Sequence, residues 1–405
     1  MTSADAETVD LAASAFKANA YSYYRHLRAT SPVHRVRLRG GQIAWLITRY
    51  DDVVAVLRDA RFVKDRQNAA GPGERPPWTP SFLQPLTRNM LDRDPPDHGR
   101  LRSLVHRAFT LRRVEQLETR IHAITDALLT QAERRGRIEL IADLALPLPS
   151  TVIAELLGVP LKDQGRFHRW SRRIVASDPS GWRMVRAIPS IIAFLRYIRR
   201  LVRSRREVPR DDLVTALVQA EQEGDRLSED ELVAMVFLLL VAGHETTVNL
   251  IGNGVLALLQ HPEQMERLRA DPALLPSALE ELLRYSGPLE TATERFARED
   301  VQLHGVTIPR GDLVYAVLAS ANRDERQFVD PDLLSLSREP NRHLAFGHGI
   351  HYCLGAPLAR VEGRTALRML LERFATLRLA VRADSLRWRS GLVLRGLEAL
   401  PLTIR

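Results

Sequence analysis

Cys353, the only cysteine among the 405 residues, is the side chain with the most obvious chemistry. It lies in the sequence FGHGIHYCLG, residues 346–355, among three glycines and two histidines. Glycine lets a backbone approach a bulky group. A helix that begins after the cysteine would direct N–H groups and its positive dipole end at the sulfur, which favours thiolate. The arrangement predicts a metal ligand or a nucleophile, although an isolated cysteine can also be a small buried hydrophobic residue.

The pattern Phe-x-x-Gly-x-His-x-Cys-x-Gly resembles the haem-ligand loop of the cytochrome P450 monooxygenases at every named position. In that family the cysteine thiolate is the axial ligand of haem iron and donates electron density that favours O–O cleavage. The resemblance implies that Cys353 binds the iron of haem b and that His351 reaches a haem propionate. It also implies that Phe346 lies against the porphyrin, and that Gly349 and Gly355 allow a close approach.

A zinc site is the main alternative for this segment. Four side chains of a suitable type lie close together in the sequence: His343, His348, His351 and Cys353. Structural zinc sites prefer thiolate-rich sets with paired spacings such as Cys-x-x-Cys, which this segment lacks. No recognised nucleophile signature surrounds the cysteine. The Gly-His-Gly sequence at 347–349 begins like a dinucleotide fingerprint, but Tyr352 occupies the third glycine position.

A long apolar helix is predicted ahead of this loop. Ser228 and Glu231 form a capping-box pattern, and helical character continues to Gln260, where His261 and a proline end it. The helix would be roughly 45–50 Å long. Residues 232–241 are apolar on every face, which predicts burial, and they are fewer than the about 20 residues that span a bilayer.

The sequence AGHETT follows this apolar stretch, and its polar and β-branched residues oppose helix propensity in a buried helix. Such a departure indicates a functional site, unless the helix reaches the surface here. The segment resembles the oxygen-binding segment of the same family. The resemblance implies that Ala242 and Gly243 leave room above the iron, that Thr246 hydrogen-bonds bound dioxygen, and that Glu245 relays protons. A face of Leu239 with the two small residues and the threonine would look onto the haem, and Glu245 would turn toward water.

Glu281 and Arg284 form a further recognisable pair, in a helix that ends before a Gly-Pro sequence. Taken alone, an acid and an arginine three residues apart are usually a surface ion pair that contributes a few tenths of a kcal/mol. The spacing resembles the Glu-x-x-Arg pair of the family, which is buried and linked to another arginine near the haem loop. That third partner is either Arg338 or Arg342.

Three more cationic side chains match family positions that pair with haem propionates, a charge-assisted contact. His98 and Arg102 lie four residues apart on one face of a predicted helix, and Arg295 precedes a strand-rich stretch at 301–318. A second strand signal covers 33–50, around a Gly-Gly turn. Helical periodicity dominates the remainder, and no linker or repeat divides the chain. We therefore expect one domain over 1–405, mainly α with a small β portion near the N-terminal end. The family fold would place haem between the long helix and the helix after the cysteine.

The absence of flavin or iron–sulfur segments implies a separate electron supply, since one cysteine cannot hold a cluster that needs four. The resemblance implies a ferredoxin and an NAD(P)H-dependent reductase. The net charge of +9 raises nucleic-acid binding as an alternative, but no such motif accompanies the arginine stripe at 196–203, so we interpret it as a solvated helix face. Five arginines could instead dock an acidic ferredoxin: Arg100, Arg107, Arg112, Arg113 and Arg364.

Residues 1–5 begin neither a signal peptide nor a membrane anchor. We expect a cytoplasmic monomer that binds neither membranes nor nucleic acid. The acid–threonine pair on the long helix predicts oxygenation with O2 rather than peroxide-driven turnover. A haem sensor is not expected, because the sequence shows no signalling domain of the kind that sensors usually carry. The expected reaction is hydroxylation or epoxidation of an apolar small molecule.

The chain resembles the actinobacterial-type branch that hydroxylates macrolides and other polyketides, which also contains oxidisers of fatty acids, terpenoids and steroids. By family analogy, five segments line the substrate chamber: 62–90, 167–194, 235–242, 289–293 and 391–397. The side chains of Leu238, Leu289, Ala292 and Val393 predict an apolar chamber, and a loop at 71–78 is expected to move on binding.

Overall fold

The computed structural model describes residues 7–71, 86, 89–175, 182–222 and 224–405. The side chains of 168, 171–175, 182–186, 221 and 222 are outside this description. Beyond Gly71, the predicted loop at 71–78 lies outside the described residues, as do residues 1–5. Parts of the expected substrate segments 62–90 and 167–194 also fall there.

Helices form most of the described structure, which confirms the mainly helical expectation. In chain order they are α1 (Ser14–Thr30), α2 (Tyr50–Arg58), α3 (Arg66–Ala69), α4 (Asp97–Ala108), α5 (Leu111–Arg135), α6 (Pro147–Leu156), α7 (Leu161–Val175), α8 (Trp182–Glu207), α9 (Leu213–Gln219), α10 (Glu229–Gln260), α11 (Pro262–Ala270), α12 (Leu275–Ser286), α13 (Leu318–Ala321) and α14 (Ala356–Arg373). A short 3₁₀ turn, Gly349–His351, precedes the cysteine.

The strands form small sheets at the edge of this helical core. They are β1 (Glu7–Thr8), β2 (Val33–Arg37), β3 (Ile43–Ile47), β4 (Phe62–Val63), β5 (Arg137–Glu139), β6 (Glu221–Gln222), β7 (Asp225–Arg226), β8 (Arg295–Ala297), β9 (Val301–Leu303), β10 (Val306–Ile308), β11 (Leu313–Ala316), β12 (Leu377–Leu379) and β13 (Pro401–Ile404). The largest sheet has the order β1-β2-β3-β11-β8-β4. β2 and β3 are antiparallel, with Val33 opposite Ile47. Both predicted strand regions, 33–50 and 301–318, are therefore confirmed.

The start of α10 is fixed by the predicted capping box. The Ser228 hydroxyl accepts the Glu231 N–H at 3.3 Å, and the Glu231 carboxylate accepts the Ser228 N–H at 2.8 Å. These two bonds satisfy N–H groups that a helix start leaves without partners. The helix ends at His261 as expected. By length and composition alone α10 could cross a membrane, but 67% of its most apolar window is buried inside the protein.

Close helix packing brings α14, the helix that follows the cysteine, next to α10. α10 contacts α6, α8, α12 and α14, and α14 begins three residues after Cys353. A Cβ at Gly363 of α14 would lie 3.0 Å from Leu279 of α12 and 3.1 Å from Leu250 of α10. The glycine therefore lets three helices meet closely, which couples the position of the cysteine loop to that of α10.

The Glu281–Arg284 pair is fully buried, so the surface interpretation is wrong. Arg284 donates to both carboxylate oxygens of Glu281 at 2.7 and 2.8 Å, and each side chain is 0% exposed. The third partner is Arg338, whose Nε lies 3.1 Å from both oxygens. Arg342 instead contributes its backbone carbonyl to the Tyr50 hydroxyl. The Ser335 N–H also donates to Glu281 Oε1 at 2.9 Å, and this bond anchors the part of the chain that leads toward the cysteine.

Candidate active site

The Cys353 loop is held by its own backbone and by the start of α14. The Cys353 N–H donates to the Phe346 carbonyl at 3.0 Å, and the N–H groups of Gly355 and Ala356 point at the sulfur. The predicted helix start is thus confirmed. Burial nevertheless raises the pKa of the thiol above its ordinary value, and it outweighs these N–H groups. The helix start alone therefore does not favour thiolate, whereas a metal ion at the sulfur would deprotonate it outright.

Close contacts on both sides of the cysteine shape its loop. Gly349 has φ 72°, a left-handed conformation, and a Cβ there would lie 2.6 Å from the Leu57 carbonyl. Only glycine fits this close approach to α2. The guanidinium of Arg360 lies 4.4 Å from the centre of the Phe346 ring, which fixes that ring beside the loop. At Gly355 an added Cβ would lie 3.9 Å from the sulfur, an ordinary contact.

The histidines of the alternative zinc site are engaged in separate contacts. His343 Nε2 lies 3.0 Å from Glu280 Oε2, whereas the His351 ring lies 4.3 Å from the ring of His98. Among the described residues, no group of three or more His, Cys, Asp or Glu side chains is placed to hold a metal ion together. The geometry does not support zinc bound by these side chains.

The predicted propionate residues come together from three parts of the chain. α4 supplies His98 and Arg102, β8 supplies Arg295, and the 3₁₀ turn supplies His351. His98 and Arg295 are buried, at 3% and 5% exposure. The Arg102 guanidinium donates to the Tyr352 carbonyl at 2.7 Å, one residue before the cysteine. The expectation that these residues share one site is therefore supported by their positions.

Lys64 is a further cation of this cluster that sequence reasoning missed. It follows β4, is 8% exposed, and donates to Thr293 Oγ1 at 2.8 Å and to the Glu294 carbonyl at 2.6 Å. Burial, together with Arg295, lowers the pKa of Lys64 to about 8. The sequence contains only a weak indication that Lys64 is functional: it follows an apolar dipeptide in a chain that has few lysines.

The cluster has the electrostatics of a binding site for a dianion. Arg102, Arg295 and Lys64 donate to backbone carbonyls and a hydroxyl rather than to carboxylates. Burial lowers the pKa of Arg295 to about 10, and burial with Arg295 lowers that of His351 to about 2. The His98 Nε2 and Arg295 Nε atoms are buried without a hydrogen-bond partner. Buried cations with unused donors are costly unless an anion meets them, and the two carboxylates of haem fit this requirement.

One face of α10 is more accessible than the rest of the helix at the AGHETT sequence. Ala242 is exposed, and Leu239, Gly243 and Thr246 are partly exposed, whereas the flanking residues Leu240, His244, Glu245 and Thr247 are buried. The Thr246 hydroxyl donates to the Ala242 carbonyl at 2.8 Å. The residues predicted to look onto the haem are all accessible, and the small side chains of Ala242 and Gly243 leave space along this face.

Glu245 does not turn toward water, so that expectation is wrong. It is 7% exposed, and its Oε1 lies 3.1 Å from Arg389 Nη1. One residue before Thr246, the side chain is rotated by roughly 100° around the helix, which points it at the chain segment near the C-terminus. Burial raises the pKa of Glu245 to about 7, against the opposing effect of Arg389. A carboxyl that titrates near neutral pH can both accept and donate protons.

Arg100 and Arg113 are among the arginines expected to dock a ferredoxin that interact within this chain. Arg100 forms ion pairs with Glu231 and, at 3.2 Å, with Asp225. Arg113 lies 3.4 Å from Asp211. Arg107 and Arg112 are exposed, and Arg364 is partly exposed. The arginine stripe of α8 is similarly paired in part, because Arg203 lies 3.2 Å from Glu229 at the start of α10.

Comparison with known proteins identifies the family. A family model described as cytochrome P450 matches residues 184–395. Cytochrome P450 107B1 from Saccharopolyspora erythraea is 48% identical over 397 residues, which cover 96% of each chain. The polyketide biosynthesis cytochrome P450 PksS from Bacillus subtilis is 43% identical over 393 residues, again 96% of each chain.

Solved structures agree with this assignment. The structure of PksS matches with a TM-score of 0.91 at 42% identity, covering 98% of this chain and 99% of that chain. The myxobacterial cytochrome P450 CYP267B1, in complex with myristic acid, matches with a TM-score of 0.90 at 44% identity and covers 98% of both chains. The chain therefore belongs to the cytochrome P450 family and has its fold. It is a monooxygenase whose cofactor is haem b.

Proposed function

We propose that this enzyme inserts one oxygen atom from O2 into an apolar polyketide or macrolide, as a hydroxylation or an epoxidation. The observation that carries this proposal is the pairing of two features on α10. An accessible face of small residues ends at Thr246, and the neighbouring Glu245 has a pKa of about 7 because it is buried. Cleavage of O2 consumes protons that must be delivered to the site, whereas hydrogen peroxide brings its own, so an acid beside a hydroxyl favours turnover with O2.

The proposed haem ligand is the thiolate of Cys353. The N–H groups of Gly355 and Ala356 directed at the sulfur support this role, because they would stabilise the thiolate once a metal ion has deprotonated it. His98, Arg102, Arg295 and His351 would hold the propionates, and Phe346, Gly349 and Gly355 would shape the loop beneath the porphyrin. Bound haem would supply the activation of dioxygen and the oxygen transfer itself.

The chain's own contribution to the reaction is proton delivery and space. We propose that Glu245 takes protons and passes them to the Thr246 hydroxyl, which delivers them on the accessible face of α10. Ala242 and Gly243 leave that face open. General acid–base assistance of this kind contributes typically about 10²–10⁴-fold in rate.

Thr246→Ala tests this role. The variant should bind haem and substrate normally, because Thr246 donates only to the Ala242 carbonyl of its own helix. Product per NAD(P)H consumed should fall at least about tenfold, and hydrogen peroxide should rise correspondingly. Thr246→Ser, which keeps the hydroxyl, is the matched control. Wild-type coupling in Thr246→Ala would contradict the role and favour peroxide-driven turnover or a function other than oxygenation.

The substrate proposal rests on the relatives and on the apolar side chains expected to line the substrate chamber. PksS carries polyketide biosynthesis in its name, whereas CYP267B1 was solved with myristic acid. Leu238 is 9% exposed, and Leu289, Ala292 and Val393 are partly exposed, as expected for side chains around an apolar chamber. We further propose a cytoplasmic monomer of one domain over 1–405 that neither inserts into membranes nor binds nucleic acid. It would receive electrons from NAD(P)H through a reductase and a ferredoxin.

Titration of the purified haem protein separates the substrate classes. A macrolactone panel should convert the haem from low to high spin at lower concentrations than myristic acid or steroid controls, because a ligand that fits displaces water from the chamber. The spin change followed by optical absorbance measures this directly. A spin change with myristic acid alone would overturn the polyketide proposal and favour fatty-acid hydroxylation.

A further inference from the structure

Arg389, the partner of Glu245, belongs to a short hairpin near the C-terminus. The Arg389 N–H donates to the Gly396 carbonyl at 2.9 Å, and the Glu398 N–H donates to the Arg387 carbonyl at 2.9 Å. Trp388 and Leu397 pair as an antiparallel bridge. The hairpin, residues 387–398, therefore fixes the backbone from which the Arg389 side chain extends.

One side of this hairpin joins the segment expected to line the substrate chamber. The Glu290 N–H donates to the Val393 carbonyl at 2.8 Å, and the Thr291 hydroxyl donates to the Leu392 carbonyl at 3.3 Å. Leu289 and Leu394 form a further bridge. The hairpin and residues 289–291 are thus one connected unit.

The other side of the hairpin lies on α10. A Cβ at Gly396 would lie 1.8 Å from Asn249 Oδ1, so the hairpin backbone is in direct contact with that side chain. Asn253 Nδ2 donates to the Arg395 carbonyl at 2.9 Å. Glu245, Asn249 and Asn253 follow one another at intervals of four residues, so they lie along one stripe of the helix. This stripe faces the hairpin.

At one end of this stripe, Glu245 forms an ion pair with Arg389 of the hairpin. Arg389 Nη1 lies 3.1 Å from Glu245 Oε1, with side-chain exposures of 31% and 10%. Within the described parts of the chain, Arg389 is the one charged group that acts on Glu245. The carboxyl group is otherwise buried, so its charge depends on a residue that is 144 positions away in the chain.

We propose that Arg389 is a positioning residue, through which the hairpin at 387–398 sets the orientation and the charge of Glu245. With the pair closed, the carboxyl group is held toward the hairpin and the guanidinium favours its ionised form. With the pair opened, a buried carboxylate loses its counter-charge and takes up a proton. Because the hairpin is joined to residues 289–291, a substrate that presses on that unit acts on the proton donor. The inference rests on the proposed role of Glu245, but its geometry can be tested without turnover.

The test follows the protonated carboxyl band of Glu245 by infrared difference spectroscopy of the ferric haem protein without substrate. The band is assigned by its loss in Glu245→Gln. In Arg389→Met the titration midpoint should move upward by at least about one pH unit, about tenfold in the proton-dissociation constant, because a neighbouring opposite charge shifts a pKa by about 1–3 units. Arg389→Lys should keep most of the wild-type midpoint.

Two further variants separate positioning from a general charge effect. Arg387→Met removes an exposed arginine from the same hairpin and should leave the midpoint unchanged. Gly396→Ala, which drives a Cβ into Asn249, should displace the hairpin and raise the midpoint as Arg389→Met does. An unchanged midpoint in Arg389→Met, or an equal rise in Arg387→Met, would overturn the proposal. Failure of the Thr246→Ala test would leave these spectra unaffected, so the two outcomes are distinguishable.

Discussion

Glu281→Ala is expected to accumulate as a protein that contains almost no haem. The substitution removes the carboxylate that Arg284 and Arg338 share and leaves the Arg284 guanidinium buried without a counter-charge. Breaking a buried ion pair in this way typically costs about 3–5 kcal/mol, a large fraction of the stability of a domain. The Ser335 N–H also loses its acceptor, so the chain leading to the cysteine loop is released. The haem-to-protein absorbance ratio after purification measures the effect.

The structure offers two matched controls for this result. Glu372→Ala breaks an exposed pair with Arg368, whose charged atoms are 4.0 Å apart, and should cost under about 1 kcal/mol without loss of haem. Arg342→Ala removes a side chain that the Glu281 network does not use, since Arg342 contributes only its carbonyl to Tyr50. Normal haem content in Glu281→Ala would show that the network does not support the cofactor site.

Features fixed by neighbouring residues could be predicted from the sequence. The capping box at Ser228 and the helix end at His261 depend on a few adjacent side chains and a proline. The strands around the Gly-Gly turn depend on alternation and turn chemistry. The helix start after Cys353 also belongs to this class. Each of these signals is complete within one turn or hairpin, so no tertiary information is needed.

Features that depend on distant parts of the chain could not be predicted. Arg338 and Arg342 are equally plausible partners in the sequence, and only the path of the backbone decides that Arg338 reaches Glu281. Lys64 meets Thr293 across 229 positions, and nothing near Lys64 indicates the meeting. The burial of Glu245 is set by the Arg389 hairpin, so a helix diagram of α10 alone gave the wrong surroundings for this side chain.

Two opposing effects set the pKa of the Cys353 thiol. The helix start after the cysteine was correctly predicted, and its N–H groups do lower the pKa of the thiol. Burial of the sulfur acts in the opposite direction and is larger. The extent of burial depends on how the loop and its surroundings pack in the folded chain, which the local sequence pattern does not contain. A metal ion, rather than the helix start, is then what makes thiolate the stable form.

Cys353 is the proposed thiolate ligand of haem iron. No other cysteine exists in the chain to replace it, so Cys353→Ala should lose thiolate ligation completely. Cys353→His is a useful companion, because a nitrogen ligand would retain haem while changing the spectrum. Gly349→Ala does not serve as a companion, since it disturbs the loop against Leu57 as well.

The absorbance spectrum of the reduced, carbon monoxide-bound protein tests this claim most directly. Wild-type protein should show the strongly red-shifted haem band that thiolate ligation produces. Cys353→Ala should show none of it, and Cys353→His should show only the unshifted band of a nitrogen-ligated haem. A red-shifted band in Cys353→Ala, or haem-loaded wild-type protein without that band, would contradict the assignment of Cys353 as the ligand.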